Sequence, residues 1–281
     1  MAKVLAISSH VARGHVGLAA TVPALQRLGH EVWAVPTVLL ASRPGLGRLA
    51  RHEVPPADLA GTLAALEADG CWGALDAVLT GYFPSPQSVA VAAEAVHRIK
   101  EAAPTVPVLV DPILGDAGRL YVADPVAAAI RDRLLPLATV ATPNLFELTW
   151  LTGASTGPPA DTAAAARRLG PQAVVVTSAT ETQERISTVL VTAQEAIERF
   201  ALRRDGLPNG AGDLLAGLLL GHALNGRSLE AALDASLADL DSVLAASAGR
   251  TVLALSALTS VAVDATRDPG VGKGTGSSQG H

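Results

Sequence analysis

The chain of 281 residues has few cysteines, few aromatic residues and little charge. Its single cysteine, Cys71, excludes an intramolecular disulfide and a CxxC metal site, and it fits a reducing cytoplasm. Aromatic residues make up 3%, so the core has to be built from Ala, Val and Leu. Charged residues make up 17% and the net charge is −5, which excludes the basic face that nucleic acid binding requires.

Long apolar runs are also missing from the sequence. No uncharged stretch of about eighteen apolar residues occurs, so we expect no membrane span and no membrane partner. Residues 1–9 carry one Lys and a short apolar run without a small-residue cleavage site after it. This segment is therefore predicted to be a first strand rather than a signal peptide, and the expected location is the cytoplasm.

Apolar runs of strand length alternate with runs of helical spacing along most of the chain. Residues 106–111 and 173–178 are apolar on both faces, which is typical of strands buried in a parallel sheet. Segments 187–192 and 196–202 are expected to form an antiparallel edge. The repeated order predicts an α/β fold of three layers, α/β/α, around a central and mostly parallel sheet. A single domain is expected over residues 1–265.

Two segments interrupt this alternation. Residues 41–56 (ASRPGLGRLARHEVPP) are predicted to be a mobile surface segment that acts as a lid. Residues 266–281 are rich in Gly and Ser and lack apolar anchors, so a flexible tail is expected. The tail contains GVGKGT, but Arg267 stands where a phosphate loop requires Gly, and Gly274 where it requires Ser or Thr. A phosphate loop is therefore not expected here.

Three other local motifs fail on their context. GASTG (153–157) has the letters of a nucleophile elbow, but a predicted helix precedes it instead of a strand. The loop 8–17 lacks the G-x-G-x-x-G of dinucleotide-binding proteins. His10 and His15 have no carboxylate or cysteine at metal-ligand spacing, so they are interpreted as loop or core residues.

The stretch NGAGDLLAGLLL (209–220) places three small, flexible positions before an acid and an apolar helix. Asp213 would lie in the first turn of that helix, where unpaired N–H groups and the positive end of the macrodipole are found. Two interpretations follow from this local pattern. The stretch is either an N-terminal cap, or an anion cradle made by Gly210, Ala211 and Gly212 with a carboxylate beside it.

Polar residues also follow the predicted strands. They are Ser9, Gly81-Tyr82, Asp111 with Gly115-Asp116, Thr142-Pro143-Asn144 with Glu147, and Thr177-Ser178. The carboxyl ends of parallel strands lie at one edge of a sheet, where open α/β proteins bind their ligands. The sequence therefore predicts one ligand site that combines these residues with Asp213.

Together these stretches resemble the motifs of the ribokinase-like superfamily and, within it, of the pyridoxal kinases. The matching residues are Ser9-His10-Val11 with Gly14 and Gly17, Gly81-Tyr82, Asp111-Pro112-Ile113-Leu114-Gly115-Asp116, Thr142-Pro143-Asn144 with Glu147, and Gly210-Ala211-Gly212-Asp213. The resemblance covers about residues 3–250. It implies a ribokinase-like kinase domain that phosphorylates the 5′-hydroxyl of pyridoxal, pyridoxine or pyridoxamine with ATP.

The resemblance also implies roles for individual residues. Asp213 would be the general base, a role worth about 10² to 10⁴ in rate. The N–H groups of Gly210, Ala211 and Gly212 would stabilise the charge on the transferring phosphoryl group. The remaining assignments are Ser9, Tyr82 and Arg43 to the vitamer, and Asp111, Asp116, Tyr121, Thr142, Asn144, Glu147, Thr177 and Ser178 to the nucleotide.

The implied cofactors are ATP and Mg²⁺, with K⁺ as a further candidate. Oxygen ligands suit Mg²⁺, and the acidic candidates around it, directly or through water, are Asp111, Asp116 and Glu147. Members of this family are often homodimers, so a homodimer is expected.

The sequence departs from the pyridoxal kinase motifs on the substrate side, at Leu18, Pro36, Arg43, Pro44 and Leu46. These departures leave two alternatives open. One is a kinase of the same superfamily that acts on hydroxymethylpyrimidine or another small alcohol. The other is a non-catalytic protein that binds pyridoxal phosphate or nucleotide, although such a protein has no need of a base at Asp213.

Overall fold

The computed structural model describes residues 1–258 except 44, 47, 49 and 155–158. Several predictions lie outside these residues. They are the flexible tail at 266–281 with its GVGKGT motif, the central and final residues of the GASTG stretch, and part of the lid segment.

A central sheet of nine strands is the core of the described fold. Its strands are β1 (Lys3–Arg13), β2 (Glu31–Ser42), β3 (Arg51–Glu53), β4 (Ala77–Thr80), β5 (Val108–Val110), β8 (Val140–Ala141), β9 (Ala173–Val176), β10 (Arg185–Thr192) and β11 (Ala196–Leu202), and a separate hairpin contains β6 (Gly115–Asp116) and β7 (Arg119–Leu120). The order across the sheet is β11-β10-β9-β8-β5-β4-β1-β2-β3. The six inner strands from β9 to β2 pair in parallel, while β3 and the pair β10–β11 are antiparallel. The predicted, mostly parallel sheet with an antiparallel edge is confirmed.

Helices cover both faces of this sheet. They are α1 (Leu18–Arg27), α2 (Pro56–Ala68), α3 (Pro86–Ala102), α4 (Asp124–Ala129), α5 (Leu145–Thr152), α6 (Pro159–Arg168), α7 (Ala211–Leu224) and α8 (Leu229–Ala246). Alternate strand residues point to opposite faces, so Leu5 packs with α2 and α3 while Val4 packs with α1, α7 and α8. Helices α5 and α6 lie on the same face as α3, against Val174 and Val176. The three-layer α/β/α architecture is therefore confirmed.

Small residues determine how closely α7 approaches α1. A Cβ added to Gly217 would lie 3.0 Å from the Cα of Thr21, and one added to Gly221 would lie 2.5 Å from a methyl carbon of Leu28. This close packing is what a core poor in aromatic residues requires. No helix in the described part of the chain has the length and apolar character needed to cross a bilayer.

Regular structure occupies both ends of the predicted lid segment at 41–56, and its role as a mobile lid stays a prediction. Strand β2 continues through Ser42, and β3 pairs with it so that Leu40 lies opposite Arg51. Helix α2 already begins at Pro56. The antiparallel pairing of β2 with β3 joins residues that are well separated in sequence and is not visible in a one-dimensional pattern.

The first strand also extends beyond the segment 1–9 in which it was predicted. It continues through Arg13 because it pairs with β2 as far as Ser42, and its register shifts between Ser8 and His10, opposite Pro36. Pro36, which has no backbone N–H to donate, lies opposite Ser8 at the start of this shift. Register shifts of this kind re-aim side chains and are common beside active sites, and Ser9 lies at this one.

Candidate active site

One cleft of about 880 Å³ lies at the carboxyl ends of the inner strands. All fifteen residues assigned from the sequence line it: Ser9, Arg43, Tyr82, Asp111, Asp116, Tyr121, Thr142, Asn144, Glu147, Thr177, Ser178, Gly210, Ala211, Gly212 and Asp213. Residues that are as much as 204 positions apart in sequence, from Ser9 to Asp213, therefore meet at one place. Their individual chemical roles stay predictions.

The cleft contains the amino terminus of α7. Gly210 precedes the helix with φ of 112°, and a Cβ there would lie 1.9 Å from the carbonyl oxygen of His15. A side chain is thus excluded at Gly210 by both conformation and space. At Gly212, by contrast, nothing lies within 4 Å of an added Cβ. The first N–H groups of a helix have no partner within it, so this end of α7 offers amides to an anion in the cleft.

Asp213 lies in the first turn of α7 and is half-buried. Burial raises the pKa of its carboxyl to about 6, while hydrogen bonds from the backbone N–H groups of Gly17 and of Asp213 itself act in the opposite direction. The group is therefore an anion at neutral pH with a higher proton affinity than an exposed aspartate. A carboxylate of this kind can accept a proton from an alcohol bound in the cleft.

The loop after β1 requires a glycine at position 17. Gly17 has φ of 55°, and a Cβ there would lie 2.2 Å from the carbonyl oxygen of Ser9. The loop consequently folds back on the end of β1 and brings the Gly17 amide to the carboxyl group of Asp213. The glycine of the opening motif thus has a steric reason to be there.

Two further carboxylates are buried beside Asp213. Asp111 follows β5 and is 6% exposed, and burial raises the pKa of its carboxyl well above the usual range, with the charges of Asp213 and Glu147 acting in the same direction. Glu147 is 4% exposed, and burial raises its pKa to about 7. Asp116 is exposed on the β6–β7 hairpin. The acidic residues of the cleft therefore differ strongly in their electrostatic environments.

The oxygens of Glu147 are engaged by the backbone. Oε1 accepts hydrogen bonds from the N–H groups of Leu114 (2.7 Å) and Gly115 (3.3 Å), and Oε2 accepts one from Asn144 (2.9 Å). Together with the bond from the Glu147 N–H to Asn144 Oδ1, this is a capping box at the start of α5. Glu147 thus joins α5 to the loop that follows β5.

The metal role predicted for Asp111, Asp116 and Glu147 stays a prediction. Within the described ranges, no group of three or more His, Cys, Asp or Glu side chains is placed to hold an ion. Asp111, Asp116 and Glu147 are therefore not a preformed metal cluster, because Glu147 is bound to three amides and Asp116 is exposed on the hairpin. Asp111 is the acid of this set that is both buried and close enough to Asp213 for their charges to interact.

Replacement of Glu147 by Gln should change how stability depends on pH. The pKa of Glu147 is about 7 in the folded protein against 4.5 as its ordinary value, so the folded state holds this proton more tightly. Its contribution to stability is present below pH 4.5 and is lost as the pH rises through 7. The free energy of unfolding of the unmodified protein, relative to that of Glu147→Gln, should fall by about 3 kcal/mol across that range.

Urea denaturation at pH 4.5 and pH 8 measures this difference. Glu195→Gln, at an exposed turn residue, is the matched control and should show no comparable change with pH. A difference between the unmodified protein and Glu147→Gln that stays constant with pH would contradict the assignment of the buried proton.

The end of the cleft near β8 and β9 is built around the β6–β7 hairpin. The side-chain amide of Asn144 donates a hydrogen bond to the carbonyl oxygen of Gly115 (2.8 Å), and Asn144 and Thr177 form a parallel bridge. Tyr121 follows the hairpin and is 52% exposed. Ser178 has φ of 50°, an uncommon value for a residue with a Cβ. Asn144 is thus occupied in positioning the hairpin, and Tyr121 has the exposure that stacking on a ligand requires.

The opposite end of the cleft, near β1, β2 and β4, contains Tyr82. Its backbone N–H donates to Ser8 Oγ (3.0 Å), and its carbonyl oxygen accepts from Thr37 Oγ1 (2.7 Å). Its phenol oxygen accepts from Arg51 (3.2 Å). The ring therefore stands at a fixed place in the cleft wall.

Sequence reasoning missed several residues at this site. Ser8, Thr37 and Arg51 hold Tyr82, while Asn209 and Arg119 line the cleft. The adjacency of Ser8 to Ser9 was a signal for the first of them. Arg51 carried no signal, because its position depends on the pairing of β3 with β2.

Comparison with known proteins agrees with this geometry. Residues 13–249 match the model of the phosphomethylpyrimidine kinase family. The pyridoxine/pyridoxal/pyridoxamine kinase of Bordetella avium is 40% identical over 240 residues, which are 83% of this chain and 81% of that protein. The pyridoxal kinase PdxY of Corynebacterium diphtheriae is 36% identical over 245 residues, 82% and 84% of the two chains.

A solved structure agrees in fold as well. Pyridoxal kinase from Leishmania donovani in complex with ADP and pyridoxamine superimposes with a TM-score of 0.83 at 28% identity, covering 92% of each chain. The cleft residues, the three-layer architecture and these relatives lead to one conclusion. The chain belongs to the phosphomethylpyrimidine kinase family, within the ribokinase-like superfamily, and its similar relatives include pyridoxal kinases.

Proposed function

We propose that this chain is a kinase that transfers the γ-phosphoryl group of ATP to the 5′-hydroxyl of pyridoxal, pyridoxine or pyridoxamine. One observation carries the proposal: Asp213 lies inside the cleft, directly after the amides of Gly210, Ala211 and Gly212. The names of the Bordetella and Corynebacterium relatives, and the ADP and pyridoxamine bound by the Leishmania enzyme, support the choice of substrates.

The two ends of the cleft suit the two substrates. We assign ATP to the end formed by β5, β8, β9 and the β6–β7 hairpin, and the vitamer to the end formed by β1, β2 and β4. The start of α7 lies along the same cleft, so the hydroxyl and the γ-phosphate would meet there. Phosphoryl transfer depends mainly on such positioning and on neutralising charge.

The chemical step follows from these positions. Asp213 accepts the proton of the 5′-hydroxyl while the hydroxyl oxygen bonds to the γ-phosphorus. The bond from that phosphorus to the β,γ-bridging oxygen breaks, and ADP leaves. The amides at residues 210–212 donate to the phosphoryl oxygens, on which negative charge accumulates during transfer. The loss of one such donor in other enzymes costs about 10² to 10³ in rate.

Mg²⁺ would enter with ATP. A magnesium ion bound to the phosphates neutralises their charge, and it commonly retains several waters and one or two carboxylates. Asp111 fits this need because it is a buried carboxylate close to the reaction site, and Asp116 is the second candidate. A K⁺ ion, a homodimer and a cytoplasmic location remain parts of the proposal that follow from the family resemblance and from the single cysteine.

The second candidate function is phosphorylation of hydroxymethylpyrimidine, favoured by the description of the matching family model. A coupled assay of ADP release over the three vitamers, hydroxymethylpyrimidine and a set of sugars separates the candidates. We expect kcat/KM to be highest for a B6 vitamer. Turnover of hydroxymethylpyrimidine but of no B6 vitamer would overturn the proposed choice of substrate. Nucleotide binding without any turnover would favour the non-catalytic alternative.

A further inference from the structure

Arg51 adds a cation to the vitamer end of the cleft. It lies on β3, and its guanidinium donates to the phenol oxygen of Tyr82 at 3.2 Å, with the guanidinium carbon 5.8 Å from the ring centroid. Arg51 also pairs with Glu53 at 2.7 Å. Both Arg51 and Tyr82 line the cleft, whereas Glu53 is outside its lining.

Tyr82 is fixed before any ligand arrives. Buried hydroxyl groups on two strands hold its backbone, since Ser8 is 1% exposed and Thr37 is fully buried. Arg51 then fixes the phenol. A residue whose backbone is held by two hydrogen bonds and whose phenol is held by a third presents the same group to every ligand, which favours selectivity.

The direction of the Arg51–Tyr82 hydrogen bond decides what Tyr82 can recognise. A guanidinium is a donor only, so the phenol oxygen has to be the acceptor. The phenol hydrogen is then directed to another acceptor, and an oxygen of a ligand in the cleft satisfies it. An ammonium group on the ligand cannot, because it has no lone pair to accept with.

The charge at this end of the cleft disfavours an ammonium group on the ligand, as the hydrogen bond does. Arg43 is a second cationic residue that lines the cleft. Glu53 neutralises part of the charge of Arg51. A cationic substituent on the ligand would therefore be repelled more strongly if Glu53 lost its charge, and less strongly if Arg51 lost its own.

We propose that Arg51, acting with Tyr82, is a specificity-determining residue that favours B6 vitamers with an uncharged oxygen substituent over the aminomethyl vitamer. This inference rests on the proposed function. Pyridoxal and pyridoxine carry an aldehyde and a hydroxymethyl group at the position where pyridoxamine carries an ammonium. The substrates thus differ in the charge of this substituent, which is the property that Arg51 would discriminate.

The test compares kcat/KM for pyridoxamine with kcat/KM for pyridoxal in a set of variants. Arg51→Gln should raise the pyridoxamine-to-pyridoxal ratio by about fivefold, and Glu53→Gln should lower it by about twofold, which are the sizes expected of partly exposed charge pairs. Arg51→Lys keeps the charge and should retain most of the discrimination. A structural effect alone would not give shifts of opposite sign.

Arg131→Gln is the matched control. Arg131 also pairs with a carboxylate at 2.7 Å and lies 5.8 Å from the centroid of an aromatic ring, that of Trp150, but it is outside the cleft. This variant should leave the vitamer ratio unchanged. If Arg51→Gln retained turnover with the same pyridoxamine-to-pyridoxal ratio of kcat/KM as the unmodified chain, the role of Arg51 would be overturned. The proposed function would not be affected by that result. Absence of vitamer turnover by the unmodified chain would overturn the proposed function and this inference with it.

Discussion

Asp213→Asn should lower kcat for vitamer phosphorylation by about 10² to 10⁴ while ATP still binds. The amide that replaces the carboxylate has almost the same shape, so the cleft keeps its form, but it cannot take the proton of the 5′-hydroxyl. The pKa of Asp213 is raised to about 6 by burial, so ionising it in the folded protein is unfavourable. The variant should therefore be as stable as the unmodified protein at pH 8, or more stable.

The same pKa sets a pH profile. Activity requires the ionised form, so kcat/KM of the unmodified protein should fall as the pH drops through about 6. Asp58→Asn is the control, because Asp58 is likewise the third residue of its helix but is exposed and outside the cleft. Steady-state kinetics and ATP titration measure both effects. Turnover by Asp213→Asn within tenfold of the unmodified protein would remove Asp213 from the role of base.

Gly210→Ala should reduce kcat by at least about 10² and should also lower the melting temperature. A methyl group there would lie 1.9 Å from the carbonyl oxygen of His15, and φ of 112° is strained for any residue with a Cβ. Such strain costs of the order of 1–3 kcal/mol before any clash is counted. The backbone has to move to relieve it, and the amides that bind the phosphoryl group move with it.

Two other glycines make this prediction specific. Gly61→Ala in α2 has free space around the added methyl and a φ outside the left-handed region, so it should leave activity and Tm close to normal or raise Tm slightly. Gly212→Ala also meets nothing within 4 Å, so its Tm should be preserved while its methyl enters the space proposed for the phosphate. Normal kinetics together with normal Tm in Gly210→Ala would show that the start of α7 tolerates displacement, contrary to an amide-based anion site.

The sequence was sufficient for the sheet and for most of the cleft wall. Strands apolar on both faces, such as β9, identify a parallel sheet, and chain order alone then places Asp111 and Thr142 at its carboxyl edge. These inferences succeed because they depend on local periodicity and on one topological rule.

The features that could not be predicted from the sequence depend on contacts between distant segments. The hydrogen bonds of the Glu147 carboxylate with the amides of Leu114 and Gly115 were not predicted, because the loop after β5 sets them. Arg51 reaches Tyr82 only because β3 turns back along β2. Neither the contact of Glu147 with the loop after β5 nor strand pairing across a turn is encoded in residue spacing.

The contacts of Gly17 with Asp213 and of Gly210 with His15 interlock the two ends of the domain. A ribosome releases the loop after β1 early, but its counterpart at α7 emerges only after most of the polypeptide has been made. Every partial product that stops short of α7 therefore lacks both the proposed base and the proposed anion site. A nascent chain of that length is expected not to consume ATP.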